Sequence, residues 1–456
     1  MSEPLASRPV SDHAGPQAVG GRPLARLPLA QLLQVSFYWF GINALWGGWE
    51  IVGQARMPYL VDPAEAGRLM GLMEAVAVVV AILVQPTVGT ISDYTVSRWG
   101  RRKPYIAIGS VLNLLCLIGI ATSHTYLSVF AFLVLLQFSS NVAQGPFQGY
   151  IPDLVPERQV GLASGLMGVM IVFGLMGGQA IASIGFLLDG DFTIPTIALG
   201  IIGLVAMLGT VLFVREGPVA KPRAGRPWRS IALEAWGTDI LREKSYIWLI
   251  ASRLFALMAA SILYNLIVFY MTRSLGFGRA EMGFWVPVTS GLIAISVLFS
   301  AVPAAKLSDR IGRKPVIYAS CAVGAAGMAI LVVSTHISLV LVGILLIAVA
   351  SGAFLTVDWA LMTQVIPKAS SGRYMGMSNV ATASNGALAV VIGGIVMDGV
   401  GGPGLDGSGP RAALVVAIGL YAVGALLLRP VQEPPRAERE PSAVLRSLRA
   451  RIARFG

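Results

Sequence analysis

Twelve apolar stretches of about 20 residues follow one another along this chain, and they restrict its fold more than any other feature. They run over roughly 31–54, 66–91, 104–122, 126–151, 160–188, 193–214, 246–271, 281–304, 314–334, 337–362, 373–398 and 411–429. About 20 helical residues cross a hydrocarbon core of about 30 Å. Lipid offers no hydrogen bonds, so the backbone of each stretch must satisfy its own polar groups as a helix. The expectation is an all-α integral membrane protein. Charged residues make up only 12% of the 456, against about 25% in soluble domains. That is too few to cover a water-facing surface of this size. Disordered, collagenous and ordinary soluble enzyme classes are excluded.

The charges are sorted by side. With the amino terminus assigned to the cytoplasm, 28 of the 34 Lys and Arg fall on that side. Arg56, Arg68, Arg273, Arg279 and Arg411 fall on the other, and Arg253 lies within a helix. This bias places both termini in the cytoplasm of a multi-pass cell-membrane protein. It also accounts for the net charge of +11 without nucleic acid. Residues 1–30 read as a flexible cytoplasmic tail with no cleavable signal pattern. Residues 215–245, with Pro218, Pro222 and Pro227, read as a cytoplasmic linker between a six-helix bundle (31–214) and a second one (246–429). In the basic tail 430–456, Val444, Leu445, Leu448, Ile452 and Phe455 share one helical face, as in an amphipathic helix on the inner leaflet. Cys116 and Cys321 lie in apolar runs and His13, His124 and His336 are scattered, so no disulfide framework or metal site is expected.

The halves echo each other. Ser92-Asp93 and Gly100-Arg101-Arg102-Lys103-Pro104 follow helix 2; Ser308-Asp309-Arg310 and Gly312-Arg313-Lys314-Pro315 follow helix 8. Pro156, Gly161 and Gly165 after helix 4 return as Pro367, Gly372 and Gly376 after helix 10, at a constant offset of 211. Such repeats mark transporters that rock one half against the other about a central site. Asp93, Arg101, Arg102, Asp309, Arg310 and Arg313 lie at cytoplasmic helix ends. Ion pairs there can hold two bundles together in one state and release them in another. The other reading is charge that only sets topology.

This pattern resembles the major facilitator superfamily over residues 31–429, and more narrowly its sucrose transporter and SLC45 branch, related to the glycoside–pentoside–hexuronide cation symporters. The residues that carry the narrower likeness are Gly48-Trp49 with Pro58-Tyr59, Val84-Gln85-Pro86-Thr87-Val88-Gly89, Ser92-Asp93, Ser97, Gly100 to Pro104 with Ile106-Ala107, and Gln144-Gly145-Pro146. The resemblance implies two pseudo-symmetric six-helix bundles and cation-coupled sugar transport. One departure stands out: the branch's proton-carrying aspartate in helix 4 lies seven residues before Gln-Gly-Pro, where this chain has Gln137. A neutral amide carries no proton, so coupling falls to another acid or is absent.

Intramembrane charges are costly and functional by default. Glu50, Glu74 and Asp358 are therefore the proton-coupling candidates. Glu74 alternatively reaches the outer interface, and Asp358 alternatively pairs at an inner gate. Arg253, near a helix end, is placed to snorkel. Sugars need hydroxyl partners and an aromatic platform; bidentate amides and carboxylates suit vicinal hydroxyls. Helix 1 offers Asn43, Trp46, Trp49, Glu50 and Gln54, the two Trp serving equally well as interface anchors. Helix 4 offers Gln137, Asn141, Gln144 and Gln148, whose spacing of four, three and four puts them on one face. That stripe lines water or ligand, or else glues helices together. Tyr264, Asn265, Asn379 and Asn385 complete the candidate substrate site.

The function these residues point to is secondary active transport of a small polar solute by alternating access. The solute read from them is a sugar, a disaccharide or glycoside, in proton symport. A second reading is a multidrug or hydrophobic-solute exporter, which predicts an aromatic, Met-rich cavity without an amide stripe. A third is a non-transporting receptor or assembly factor. No Walker, HExxH or GxSxG motif appears, so an enzyme is not expected. No cofactor or metal is expected; the partners are the solute, H+ and the lipid bilayer, and the chain is expected to be a monomer.

Overall fold

The computed structural model describes residues 26–95, 97–156, 159–216, 225, 227–229, 243–365, 371–402 and 407–432. The tail expected to form an amphipathic helix, most of the linker and most of the amino-terminal tail lie outside the described residues. Among those described there is no strand. Twelve long helices run in chain order: α1 Leu29–Leu60, α2 Ala66–Asp93, α3 Lys103–Thr122, α4 Tyr126–Phe147, α5 Val160–Leu187, α6 Thr193–Phe213, α7 Lys244–Phe269, α8 Arg279–Ile311, α9 Arg313–Val333, α10 Ile337–Val365, α11 Ser371–Gly401 and α12 Ser408–Leu427.

Eleven helices are long and apolar enough to cross a membrane; α1 is the exception. The reason is its position. Residues around its whole circumference are buried, from Leu32 to Met57, so the protein interior, rather than lipid, solvates its Asn, Glu and Gln. Small residues make this possible: a Cβ added to Gly174 or Gly178 of α5 would strike the carbonyl oxygens of Phe40 and Ala44 of α1. Backbones in such contact are a common way to pack helices where no hydrophobic force acts between them.

Two boundaries differ from the sequence reading. The stretch 126–151 stops as α4 at Phe147, and a separate five-residue helix follows at Tyr150–Leu154. Pro146 lies in the last turn, and the Arg102 guanidinium fills the space that a side chain at Gly149 would need. In contrast, α8 continues to Ile311 through Pro287 and Pro303.

The internal repeat is a repeat of packing. In the first half α1 packs on α5 and α6, α2 on α4, and α3 on α4 and α6. Adding six to every label gives the second half: α7 on α11 and α12, α8 on α10, and α9 on α10 and α12. The halves join along α2·α11, α5·α8 and the α1·α7 crossing. The helix ends form two faces, here called the basic end (residues 97–102, 148–149, 155–156 and Gly312) and the far end (residues 61–65, 188–192 and 275–278).

The α5·α8 seam is tight at its far end. Gly165, Met176 and Leu187 of α5 are 11 residues apart, which returns to the same helical face every three turns. A Cβ on Gly283 of α8 would meet Leu187 at 2.5 Å, and one on Gly291 would meet Met176 at 3.7 Å. A Cβ on Gly165, about 33 Å from Leu187 along the helix, meets nothing among the described residues within 4 Å. Among the described residues the halves touch along this seam at its far end.

Candidate functional site

Helix α1 carries the core of the site. Glu50 accepts a hydrogen bond from Gln179 Nε2 of α5 at 3.0 Å. One residue earlier, buried Trp49 donates its indole N–H to Glu74 of α2 at 2.7 Å. Among the described residues neither carboxyl is in an ion pair; the partners that hold them are an amide and an indole. Glu74 therefore faces inward, and Trp49 sits in the interior instead of at the interface. Asn43 and Trp46 share this helix, but the Asn43 amide donates to the Trp39 carbonyl at 2.8 Å, along its own helix.

Gln54, one turn beyond Glu50, is fully buried and joins the halves. Its Oε1 accepts the Val268 N–H of α7 at 2.9 Å. Its Nε2 donates to the Glu50 carbonyl at 2.6 Å and to the Tyr264 carbonyl at 3.3 Å. The Gln54 amide thus serves backbone groups. At the far rim Asp398 of α11 accepts the first-turn amides of α2, Gly67 at 3.3 Å and Arg68 at 2.5 Å. Arg273 lies 3.7 Å from Asp398 and donates to the Pro63 carbonyl at 2.6 Å. Beside them Gly67 and Gly394 cross with no room for a Cβ. Arg279 reaches Tyr59 at 3.2 Å and Asp189 at 3.9 Å. In the α5–α6 turn, the Thr193 amide and hydroxyl hold the Asp191 carboxyl below the usual carboxylate range.

The second half contributes a polar row on α7, α10 and α11. The Tyr264 hydroxyl lies 3.2 Å from Ser351 Oγ. Ser261 donates to Asn385, which donates in turn to the Thr382 carbonyl. The Asn265 amide donates to the Ser261 carbonyl at 2.9 Å. The side chain of Asn379 lies outside the described residues. Toward the basic end Arg253 and Asp358 form an ion pair, 3% and 1% exposed. Arg253 also donates to Thr382 Oγ1 at 3.1–3.2 Å and lies over the Trp359 ring. It does not snorkel: its counter-ion is inside the bundle.

The amide stripe of α4 turns away from the outward residues Leu127, Leu135 and Phe138 by about 100°, at 100° per residue. The Asn141 amide donates to the Gln137 carbonyl at 2.7 Å, while Gln137 Oε1 is buried with no partner among the described residues. Gln144 is half-buried, and Gln148 stands one residue past the end of α4.

At the basic end Arg102 gathers three acceptors: Asp93 at 2.8 Å, Asp153 at 2.7 Å and the Pro146 carbonyl at 2.9 Å. Arg101 pairs with the same Asp153. Glu216 accepts the Arg102 and Lys103 amides at 3.0 Å and the Tyr150 hydroxyl at 2.5 Å. In the second half Arg313 stands 4.0 Å from Asp309, Arg310 is exposed, and the Lys314 ammonium caps the Arg429 and Val431 carbonyls at 2.9 Å. Each of these contacts stays within one half. Gly100 and Gly312 both take positive φ, 113° and 103°, to turn the chain into α3 and α9.

The family model described as Major Facilitator Superfamily matches residues 32–390 and 249–454. The chain belongs to the major facilitator superfamily. It is a multi-pass membrane transporter, with no enzyme activity implied by family or fold. The sucrose transport protein SUT1 of rice (Oryza sativa subsp. japonica) is 28% identical over 149 residues, 28% of each chain. The human proton-associated sugar transporter A is 28% identical over 191 residues, 37% of this chain and 26% of that one. The matches thus span about a quarter of the curated relatives' lengths. The crystal structure of the nucleoside transporter NupG superposes with a TM-score of 0.66 over 88% of this chain and 99% of that one, at 16% identity, and so shares the fold.

Four contributors were not singled out from the sequence: Gln179, Asp153, Glu216 and Asp398. Gln179 carried a usable signal, a lone amide in the apolar run Gly177-Gly178-Gln179-Ala180-Ile181. The three acids lie at or beyond helix ends, where an acid is unremarkable in sequence.

Proposed function

We propose that this transporter moves a neutral sugar, a disaccharide or glycoside, together with a proton. Binding takes place between the halves, at Glu50, Gln179, Tyr264, Asn265 and the α4 amides. The observation that carries this reading is Glu50 and Glu74: two carboxyls at membrane depth, held by an amide and an indole, with no ion pair to either among the described residues. Their charge must be balanced by a mobile one. A proton suits this role, and its arrival changes how Glu50 and Gln179 present donors and acceptors to a sugar hydroxyl. With Gln137 on α4 where the branch has its aspartate, coupling falls to Glu50 on α1, held by Gln179 of α5. Asp358 is less suited, because Arg253 already neutralises it. The sugar relatives, sucrose and proton-associated, support the substrate class.

The basic end is assigned to the cytoplasm by the positive-inside bias. On this reading the tight far end is the side closed to the outside, and the open space at Gly165 belongs to the side that faces the cytoplasm. The Asp93–Arg102 and Asp309–Arg313 groups brace each half while that side is open. The test is counterflow in proteoliposomes loaded with sucrose, maltose, a β-glucoside or xylose. Exchange of at least one sugar, competed by its unlabelled form, is expected. Failure with every sugar, alongside transport of lipophilic cations, overturns the assignment.

A further inference from the structure

We propose that Asp398 is the latch of the far-end gate, a carboxylate of the second half that caps a helix of the first only while that end is shut. The proposal deepens the alternating-access reading and rests on it. The first amides of a helix have no partner within it, and Glu65, at the α2 boundary, makes no capping bond with its side chain. The cap comes from α11: Asp398 Oδ1 accepts the Gly67 N–H at 3.3 Å and Oδ2 accepts the Arg68 N–H at 2.5 Å. The Asp398 side chain is 9% exposed. Arg273, in the turn Tyr270–Ser274 after α7, lies 3.7 Å from the same carboxyl and donates to the Pro63 carbonyl, just ahead of α2, at 2.6 Å. Both side chains reach from the second half to one end of α2.

The placement of the acid says where its energy goes. Asp398 stands in the last turn of α11, where the helix's own carbonyls disfavour an anion. Docked on the first turn of α2, the same carboxylate is favoured. It therefore adds nothing to its own helix and stabilises the meeting of the halves. The internal repeat supplies the contrast. The offset of 216 that carries Asp93 onto Asp309 carries Gly67 onto Gly283, and the offset of 211 found after helix 4 carries Leu187 onto Asp398. The two seams thus place equivalent residues against each other. At α5·α8 the contact is apolar, Leu187 on Gly283, and α8 is capped by its own Glu281, which accepts the Gly278 N–H at 2.8 Å. At α2·α11 the contact is a charged cap, and a Cβ on Gly67 would stand 3.0 Å from Asp398 Oδ1. When this seam parts, the carboxylate, the two amides and Arg273 pass to water, and their net bonding is lost. Asp398 is a positioning residue for the gate and does not contact the solute.

The experiment uses the full chain in lipid nanodiscs, with Cys116 and Cys321 replaced by Ala. Spin labels are placed at the exposed positions His124 and His336, in the far-end turns after α3 and α9. Asp398→Ala is expected to raise the ratio of far-open to far-closed distances about ten-fold, the scale of one net hydrogen bond to a charged group. Asp398→Asn keeps an acceptor and loses the charge, so its rise is expected to be about two- to five-fold. Arg56→Ala is the control. Arg56 caps the Ile120 and Ser123 carbonyls at 2.6 and 2.5 Å, within one half, so its loss should lower the melting temperature and leave the ratio unchanged. A ratio unmoved by both Asp398 variants overturns the latch, as does an equal rise in Arg56→Ala. If the Ala variant fails to fold, the Asn variant decides. A single far-end distance in wild type and every variant overturns the alternating-access reading and the latch with it; two distances in wild type, in a ratio the variants leave alone, overturn the latch only.

Discussion

Arg253 and Asp358 neutralise each other inside the second half, whereas Glu50, in the first, is held by the uncharged Gln179. Asp358 is buried and has a fixed counter-charge; Glu50 is part-buried and has none among the described residues. That difference separates a structural ion pair from a coupling group.

Removing one partner of a sealed pair strands the other. Asp358→Ala is expected to cost about 3–5 kcal/mol, while Arg253→Met with Asp358→Leu should cost far less. Thermal unfolding in detergent checks this. Equal losses in the single and double variants would show that the charge pair is not what the single variant breaks.

Two glycines of α5 should behave oppositely. Gly178→Ala drives a methyl into the Ala44 carbonyl and is expected to cost about 1–3 kcal/mol. Gly165→Val meets open space here and should leave the melting temperature unchanged. It should still slow turnover several-fold, because closing the basic end brings that face of α5 against α8. Melting curves and single-turnover exchange separate the two effects, and wild-type turnover for Gly165→Val would contradict the seam's movement.

Arg102 is expected to resist even conservative change. A lysine is a point charge and cannot span Asp93, Asp153 and the Pro146 carbonyl together. Arg102→Lys should lower stability by about 1–3 kcal/mol. Arg310→Ala, at an exposed position, should stay within about 0.5 kcal/mol. Paired melting measurements test both.

The helices were legible because lipid leaves few alternatives for the backbone, and the doubled Asp–Gly–Arg–Lys spacing made the two-bundle plan legible as well. Even α1, too polar for a simple hydropathy criterion, was readable as a spanning helix by its place in the series. Individual contacts were not. Periodicity placed Gln54 on the same helix as Glu50, but nothing in a single sequence tells whether an amide meets a solute or a backbone in the other half. Arg253 looked able to reach the interface because its counter-ion lies 105 residues away on another helix. Asp398 gave no signal, because its role is to cap α2, 330 residues distant in sequence.

The most direct test of coupling through Glu50 is proton movement driven by sugar alone. Proteoliposomes with a pH-sensitive dye trapped inside are given a sugar gradient and no pH gradient. Wild type is expected to acidify the lumen as sugar enters. Glu50→Gln is expected to abolish acidification while sugar exchange persists. Sugar entry by wild type without acidification, or acidification that survives Glu50→Gln, would contradict it.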